Sequence, residues 1–256
     1  METEIKLLAD LILQAKKIVV FTGAGISTES GIPDFRSQGG IWDKYDPDEF
    51  TIERFLSSGE TRRKHWKMLS ESGLVTEAKP NPAHYAIAEL DRLGKLDCVI
   101  TQNVDNLHQK AGVPADKIFE LHGNMKWVIC LSCHKRFPLE EVLERIRQET
   151  EIPTCSNCHG ILKPDAVFFG EVLPEKTLTE ATHRSQNCDL LMIIGSTLVI
   201  YPAAYIPMYA KNSGVKLAII NLSATPFDHY ATLAIHGKAG EIMSRVIEKV
   251  KLSQLK

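Results

Sequence analysis

The sequence of 256 residues lacks any run of about eighteen consecutive apolar residues, the length that a membrane-spanning helix requires. It also lacks internal repeats, low-complexity segments and the positively charged start of a secretory signal, because Met1, Glu2 and Glu4 open the chain. These absences predict a protein with no membrane partner that stays in the cytoplasm.

An excess of charge of one sign is also missing, since 30 Lys and Arg residues face 32 Asp and Glu residues, for a net charge of −2. This balance argues against a protein that coats nucleic acid through bulk electrostatics, so no direct nucleic-acid partner is expected. The hydrophobic fraction of 44% excludes disordered and collagen-like chains and suffices for one large or two small domains.

Short apolar segments alternate with helical patterns along most of the chain. Apolar residues at helical spacing predict a helix over residues 2–17, and a buried strand follows at 18–21. Asn81 and Pro82 are typical of a helix start, with the helix continuing to residue 93. Further strands are predicted at 98–101, 118–121, 190–194 and 216–221, and further helices at 173–186, 203–212 and 241–251. The alternation predicts an α/β fold with a doubly wound, mostly parallel sheet.

The six cysteines divide by their spacing. Cys130 and Cys133 form one Cys-x-x-Cys pair, and Cys155 and Cys158 form a second after 21 intervening residues. Four thiolates at this spacing predict a closed, structural Zn²⁺ site. Redox pairs are a weaker interpretation, because neither pair opens a helix after a strand. The remaining Cys98 and Cys188 lie in or beside apolar segments and are predicted to be buried packing residues.

A glycine-containing turn follows the first predicted strand, with the sequence Thr-Gly-Ala-Gly-Ile-Ser-Thr at 22–28. Such a turn brings backbone N–H groups close to a pyrophosphate, although by itself the segment fits a plain tight turn equally well. Thr28 occupies the third glycine position of the dinucleotide fingerprint, and no acidic residue stands at the usual later position. A hydride-transferring dehydrogenase is therefore not supported.

Polar residues cluster where the strands are predicted to end, at 31–37, 101–108 and 121–124. Open α/β sheets bind ligands at the carboxyl ends of their strands. Each residue has a local alternative, since Asp105 fits a helix cap, His108 a solvated side chain and Arg36 a surface ion pair. Three such clusters together predict a binding site.

These segments resemble the sirtuins, which are NAD-dependent protein-lysine deacylases, over nearly the whole chain. The matching motifs are Gly-Ala-Gly-Ile-Ser at 23–27, Gly-Ile-Pro-Asp-Phe-Arg at 31–36, Thr-Gln-Asn-Val-Asp at 101–105, Leu-His-Gly-Asn at 121–124, Val-Phe-Phe-Gly-Glu at 167–171, Gly-Ser-Thr at 195–197 and Asn-Leu-Ser at 221–223, with the four paired cysteines. Residues 195–204 are most similar to the less differentiated bacterial and archaeal branch.

The resemblance implies a single catalytic domain over 1–256 with a Rossmann-like large part and a small part. The large part would comprise 1–37, 80–125 and 164–256, and the small part a helical insert at 38–79, read as loops and short helices, with a zinc ribbon at 126–163.

The resemblance also assigns binding residues. NAD would be bound by Ala24, Thr28, Phe35, Arg36, Gln102, Asn103, Val104, Asp105, Ser196, Thr197, Asn221, Leu222, Lys238 and Ala239. Val167, Phe168 and Gly170 match a strand beside which an acyl-lysine peptide adds by main-chain hydrogen bonds.

The implied reaction transfers the acyl group from lysine to ADP-ribose and releases nicotinamide and O-acetyl-ADP-ribose. His122 would act as general base on the ribose hydroxyls, because an imidazole accepts protons near neutral pH. Asn103 and Asp105 would orient the ribose and nicotinamide, while Phe35 shields the reactive face from water. No hydride moves, so the departure from the dehydrogenase fingerprint is consistent with this chemistry.

Relatives that remove succinyl or malonyl groups carry a Tyr-x-x-Arg pair in the small domain, and this sequence has none. Arg62, Arg63 and Lys64 occupy the corresponding region and fit a solvated helix face. Acetyl-lysine proteins are therefore the expected substrates of an expected monomer. ADP-ribosyl transfer to protein and a zinc-ribbon binding module are the alternatives that the sequence leaves open.

Overall fold

The structure is a computed structural model that describes residues 1–72, 77–148 and 152–254. Its strands are β1 (Ile18–Thr22), β2 (Leu96–Thr101), β3 (Ile118–Glu120), β4 (Gly123–Cys130), β5 (Arg136–Pro138), β6 (Leu162–Ala166), β7 (Leu190–Ile194), β8 (Lys216–Asn221) and β9 (Leu233–His236). Its α-helices are α1 (Glu2–Gln14), α2 (Ile52–Ser57), α3 (Gly59–Ser72), α4 (Pro82–Arg92), α5 (Leu107–Ala111), α6 (Leu139–Gln148), α7 (Glu175–Gln186), α8 (Tyr205–Asn212) and α9 (Ala239–Gln254).

In this described part, six strands form a parallel sheet in the order β3-β2-β1-β7-β8-β9. All five residues of β1 and of β7 are buried, which explains their continuous apolar sequence. One core joins a face of this sheet to α1, α4 and α9, and a second core joins the opposite face to α7 and α8. The predicted doubly wound α/β fold is confirmed.

A second, three-stranded antiparallel sheet has the order β5-β4-β6 and lies among the paired cysteines. Trp66 and Leu69 of α3 share a core with Val128 and Leu162 of this sheet. The helical insert and the cysteine-bearing ribbon therefore pack on each other. The boundaries expected at 125/126 and 163/164 fall inside β4 and β6, which continue across them; the division into two parts stays a prediction.

Several predicted elements have different limits in the structure. The first helix ends at Gln14, three residues early, and the insert contains the fourteen-residue helix α3, which is longer than the short helices expected there. The strand β9 was not predicted, because four residues ending in a histidine give a weak apolar pattern. Asn81 caps α4 as expected, since its Oδ1 accepts from the Ala83 amide at 2.9 Å. Residues 73–76 of the insert, 149–151 of the ribbon and 255–256 lie outside the described residues.

No helix within the described ranges is long and apolar enough to cross a membrane.

Candidate active site

The carboxyl ends of four neighbouring strands meet at one edge of the large sheet. Thr101, Thr22, Ile194 and Asn221 end β2, β1, β7 and β8 in that spatial order. The chain order reverses between β1 and β7, because β2 and β3 lie to one side of β1 while β7, β8 and β9 lie to the other. Ligands of open α/β sheets bind in the crevice at such a point.

The turn after β1 packs against the turn after β7 with no room for side chains. The Gly25 amide donates to the Gly195 carbonyl at 2.8 Å. A Cβ on Gly195, whose φ is +66°, would lie 2.1 Å from the Ile26 amide nitrogen. The segment Ala24–Ser30 that follows is a 3₁₀ helix rather than the α-helix of a dehydrogenase turn.

The donors at this turn fit an NAD pyrophosphate. The Ala24 amide opens the 3₁₀ helix and has no hydrogen-bond partner within the described residues. Arg36 is exposed and forms no ion pair there. Exposed N–H groups and a guanidinium are the groups that bind phosphate oxygens.

Three buried polar side chains form one hydrogen-bonded unit just beyond the carboxyl ends of β1 and β2. Asn103 donates from Nδ2 to the Ser27 hydroxyl at 3.1 Å, and Ser27 donates to Asp105 Oδ2 at 2.7 Å. The other Asp105 oxygen accepts from the amide of Leu107, the first residue of α5, although the N-cap position of that helix is Asn106 rather than the Asp105 that its local alternative anticipated. Ser27 belongs to the Gly-Ala-Gly-Ile-Ser motif but was not assigned a role, and its spacing after a strand was the available signal.

His122 lies at the end of this cleft, just after β3. Its Nδ1 is 2.8 Å from the Gln102 carbonyl oxygen. Because a carbonyl oxygen only accepts, Nδ1 carries the proton and Nε2 keeps its lone pair. Burial lowers the pKa of His122, and the hydrogen bond to Gln102 acts in the opposite direction. The side chain is therefore an uncharged base at neutral pH.

Gln102 links His122 to the turn after β7. Its side-chain nitrogen donates to the Ser196 hydroxyl at 2.9 Å. Ser196 is buried and follows Gly195 in the turn after β7. The hydrogen bond from Gln102 to Ser196 therefore joins two predicted NAD-binding residues across one cleft.

The remaining predicted cofactor residues lie around the same edge of the sheet. Asn221 is buried and donates to the Ser223 carbonyl, and Val104 accepts from the Met125 amide. The more peripheral residues are Phe35, Arg36, Thr28, Thr197, Leu222 and Lys238, all exposed, and Ala239, which is buried at the start of α9. No contact in the described residues ties Lys238 to the polar cluster.

Residues 167–170 do not form the strand expected for peptide binding. β6 ends at Ala166, and Phe169 alone pairs, with Thr51, in an isolated parallel bridge. The Val167 amide donates to the His122 carbonyl at 2.8 Å, which draws the segment toward the base. Phe169 bonds to Phe50 and Ile52 instead of to a sheet strand, and Gly170, whose φ is +88°, then turns the chain.

The four paired cysteines converge as predicted. Their Sγ atoms all lie within 4.8 Å of one another, with Cys130 and Cys158 3.5 Å apart and Cys133 and Cys155 3.7 Å apart. A tetrahedral Zn²⁺ with bonds of about 2.3 Å requires sulfur atoms roughly 3.8 Å apart. The four thiolates therefore fit one structural zinc ion.

The other two cysteines are packing residues, as expected. Cys98 and Cys188 are buried in the core on the α7 and α8 face of the sheet. Burial raises the pKa of the Cys98 thiol and raises that of Cys188 to about 12, so neither is a reactive thiolate.

Two of the three cations in the region expected to bind a carboxylated acyl group are already engaged by other groups. The Arg62 guanidinium donates to the Phe55 and Leu56 carbonyls at the end of α2. Lys64 is exposed and pairs with Glu49 at 2.8 Å, and Arg63 is also exposed. Arg63 and Lys64 lie on a solvated helix face, as predicted. Arg62 instead caps the end of α2.

A parallel sheet with a polar cleft at its crossover point and a Cys₄ ribbon beside it defines a nucleotide-binding α/β protein with a structural metal site. The Sir2 family profile matches residues 23–202. The chain belongs to the Sir2 family.

Relatives of known function and structure agree with this assignment. The chain is 45% identical over 252 residues, 98% of each chain, to the NAD-dependent protein deacylase 2 of Archaeoglobus fulgidus. It superposes on a Sir2 variant with a deacetylated peptide and 3′-O-acetyl ADP ribose at a TM-score of 0.89 and 41% identity, covering 96% of this chain and 98% of that one. For a Sir2 complex with peptide and NAD⁺ the TM-score is 0.88, the identity 39% and the coverage 97% and 99%.

Proposed function

We propose that this protein is an NAD-dependent protein-lysine deacetylase, which transfers the acetyl group of a modified lysine to ADP-ribose and releases nicotinamide. The observation that carries the proposal is the His122–Gln102 hydrogen bond, since it places the proton on Nδ1 and leaves Nε2 as the basic atom at the crossover cleft. The relatives named above, which include an NAD-dependent deacylase and peptide complexes, support the same reaction.

His122 takes a proton from a ribose hydroxyl at Nε2 in this proposal, while Gln102 holds the opposite side of the ring. NAD supplies the glycosidic bond to nicotinamide that the reaction breaks. The Asn103–Ser27–Asp105 unit orients the ribose and nicotinamide, because its side chains are buried and held by hydrogen bonds to one another. Ala24 and Arg36 bind the pyrophosphate.

The adenosine half of NAD is assigned to the turns after β7, β8 and β9. Ser196 and Asn221 would hold it from buried positions at the strand ends. The acyl-lysine peptide would bind along residues 167–170, next to His122. The zinc ion would hold the ribbon folded and take no part in the reaction, because four sulfur ligands leave no open coordination position.

The decisive experiment incubates the protein with NAD and an acetyl-lysine peptide and detects products by mass spectrometry. O-acetyl-ADP-ribose and free nicotinamide are expected in equal amounts, and only when the peptide is acetylated. His122→Ala should slow the formation of both products at least about 100-fold. Nicotinamide release that ignores acetylation would favour ADP-ribosyl transfer, and absence of any product in both proteins would favour a binding module.

A further inference from the structure

A buried cation, Lys163, contacts the proposed peptide-binding segment at residues 167–170. The Lys163 side chain on β6 is 5% exposed, and its ammonium group lies 3.0 Å from Glu171 Oε2 and 4.4 Å from the centre of the Phe168 ring. The carbonyls of Pro164 and Ala166 also accept from Lys163, at 3.2 Å and 2.5 Å. These three oxygen atoms match the three N–H groups of an ammonium ion.

Glu171 uses the same carboxylate to close a turn. Its Oε2 accepts from the Phe168 amide at 2.7 Å, and the Glu171 amide donates back to the Phe168 carbonyl at 3.0 Å. The Lys163–Glu171 pair therefore determines the path of the chain between residues 168 and 171.

Three backbone groups of residues 167–169 are already hydrogen-bonded to other parts of the protein. The Val167 amide donates to His122, and Phe169 bonds through its amide and its carbonyl to Phe50 and Ile52. By contrast, the Val167 carbonyl and the Gly170 amide have no hydrogen-bond partner among the residues that the structure describes. A backbone acceptor and a backbone donor without partners are the groups through which an added peptide strand binds.

The imidazole ring of His65, which lies near the Lys163 ammonium group, does not add a second positive charge. The His65 ring lies 4.9 Å from the Phe168 ring. Burial, and then the charge of Lys163, lower the pKa of His65 to about 4. Within the described residues, Glu171 is the one carboxylate in salt-bridge contact with this cation.

We propose that Lys163 and Glu171 are positioning residues that set the affinity for the acyl-lysine peptide, by holding the Val167 carbonyl and the Gly170 amide in the orientation that bonds its backbone. The inference rests on the proposed function. Neither side chain hydrogen-bonds a residue of the proposed NAD pocket in the described part of the chain. Disturbing the pair should therefore affect the peptide and leave NAD binding intact.

Steady-state kinetics with an acetyl-lysine peptide and NAD test this, together with NAD binding measured by calorimetry without peptide. Lys163→Met should raise the peptide KM about ten-fold, the equivalent of one to two backbone hydrogen bonds. NAD affinity should stay within about two-fold and kcat should change little, because uniform peptide binding is what is lost. Lys163→Arg should restore most of the affinity. Glu171→Gln keeps an oxygen for the Phe168 amide and should give a smaller rise.

Lys176→Met and Glu175→Gln, at the exposed start of α7, are the matched controls and should leave the peptide KM unchanged. An unchanged peptide KM in Lys163→Met, or a parallel loss of NAD affinity and kcat, overturns the proposal. If Lys163→Met does not fold, Glu171→Gln decides by the same criteria. If the wild type shows no acetyl-dependent product, the proposed function fails separately, and calorimetric peptide binding by wild type and variants still decides the role of the pair.

Discussion

The Nδ1 atom of His122 donates to the backbone carbonyl of Gln102 across 2.8 Å, while the side chain of the same glutamine donates to Ser196. One residue thus orients the base and joins it to the opposite wall of the cleft. A backbone carbonyl accepts hydrogen bonds regardless of the side chain that its residue carries. The tautomer of His122 therefore depends on the backbone conformation after β2.

The acidic limb of the pH–rate profile should lie below the ordinary histidine value of about 6.5. Burial lowers the pKa of His122, so the base stays uncharged to a lower pH and activity falls only beneath it. His122→Ala should lower kcat/KM by at least about 100-fold. Steady-state rates between pH 5 and 9 measure both; an acidic limb at or above about pH 6.5 would contradict the prediction.

Gly195→Ala should destroy the cleft, whereas Gly214→Ala should be tolerated. Both glycines have positive φ, +66° and +82°, so both substitutions share a backbone strain of about 1–2 kcal/mol. Only at Gly195 would the new Cβ meet backbone, 2.1 Å from the Ile26 nitrogen, while Gly214 has open space. Thermal unfolding and NAD binding of the two variants should differ clearly. Equal melting temperatures would show that the turn containing Gly195 rearranges to accommodate the new Cβ.

Removing zinc should abolish activity by unfolding the ribbon. Binding energy at a structural zinc site, on the order of 10 kcal/mol, is folding energy. Cys158→Ser tests this without creating a cavity, because Cys158 is exposed. Zinc content, circular dichroism and turnover should fall together. Cys188→Ala is the control and should retain zinc; full turnover and unchanged melting in zinc-free protein would refute the prediction.

The protein should lose stability as the pH falls from about 6.5 toward 4. Burial lowers the pKa of His65 and of His84 to about 4, so between these values the unfolded chain binds more protons than the folded one. Each contributes about 3 kcal/mol that is present above pH 6.5 and lost near pH 4.

His65→Leu should remove the part of this pH dependence of stability that His65 contributes. Urea unfolding at a series of pH values measures it. Lys67→Met, exposed on the same helix, should leave the slope unchanged. An unaltered slope in His65→Leu would show that His65 already titrates normally in the folded protein.

Acetyl-lysine peptides should be turned over at least about 100-fold faster than succinyl-lysine peptides, because a carboxylate would be buried without a cationic partner. Arg62 is held by the carbonyls of Phe55 and Leu56, and Lys64 by Glu49. Competition between the two peptides in one reaction, read by mass spectrometry, gives the ratio directly. Comparable rates would contradict the prediction and would point to the exposed Arg63 as the cation that pairs with the acyl carboxylate.

Much of the architecture was predictable because local patterns agreed with the fold. The strands at 190–194 and 216–221 were predicted with their observed limits, and Asn81 was identified as a helix cap. The helix α3 was harder to predict, since its few apolar residues, such as Trp66 and Leu69, only become a buried face when they pack on the ribbon. β9 likewise depends on its neighbour β8 rather than on its own sequence.

The sequence by itself determined the cysteine set, the residue types of the cleft and the family, because these depend on residue identity and spacing along the chain. Only the tertiary structure decided that Ser27 joins Asn103 to Asp105, that Gln102 sets the tautomer of His122, and that Lys163 lies beneath residues 167–171. These relationships join residues from separate elements, and hydrogen bonds have steep distance and angle requirements that no spacing rule contains.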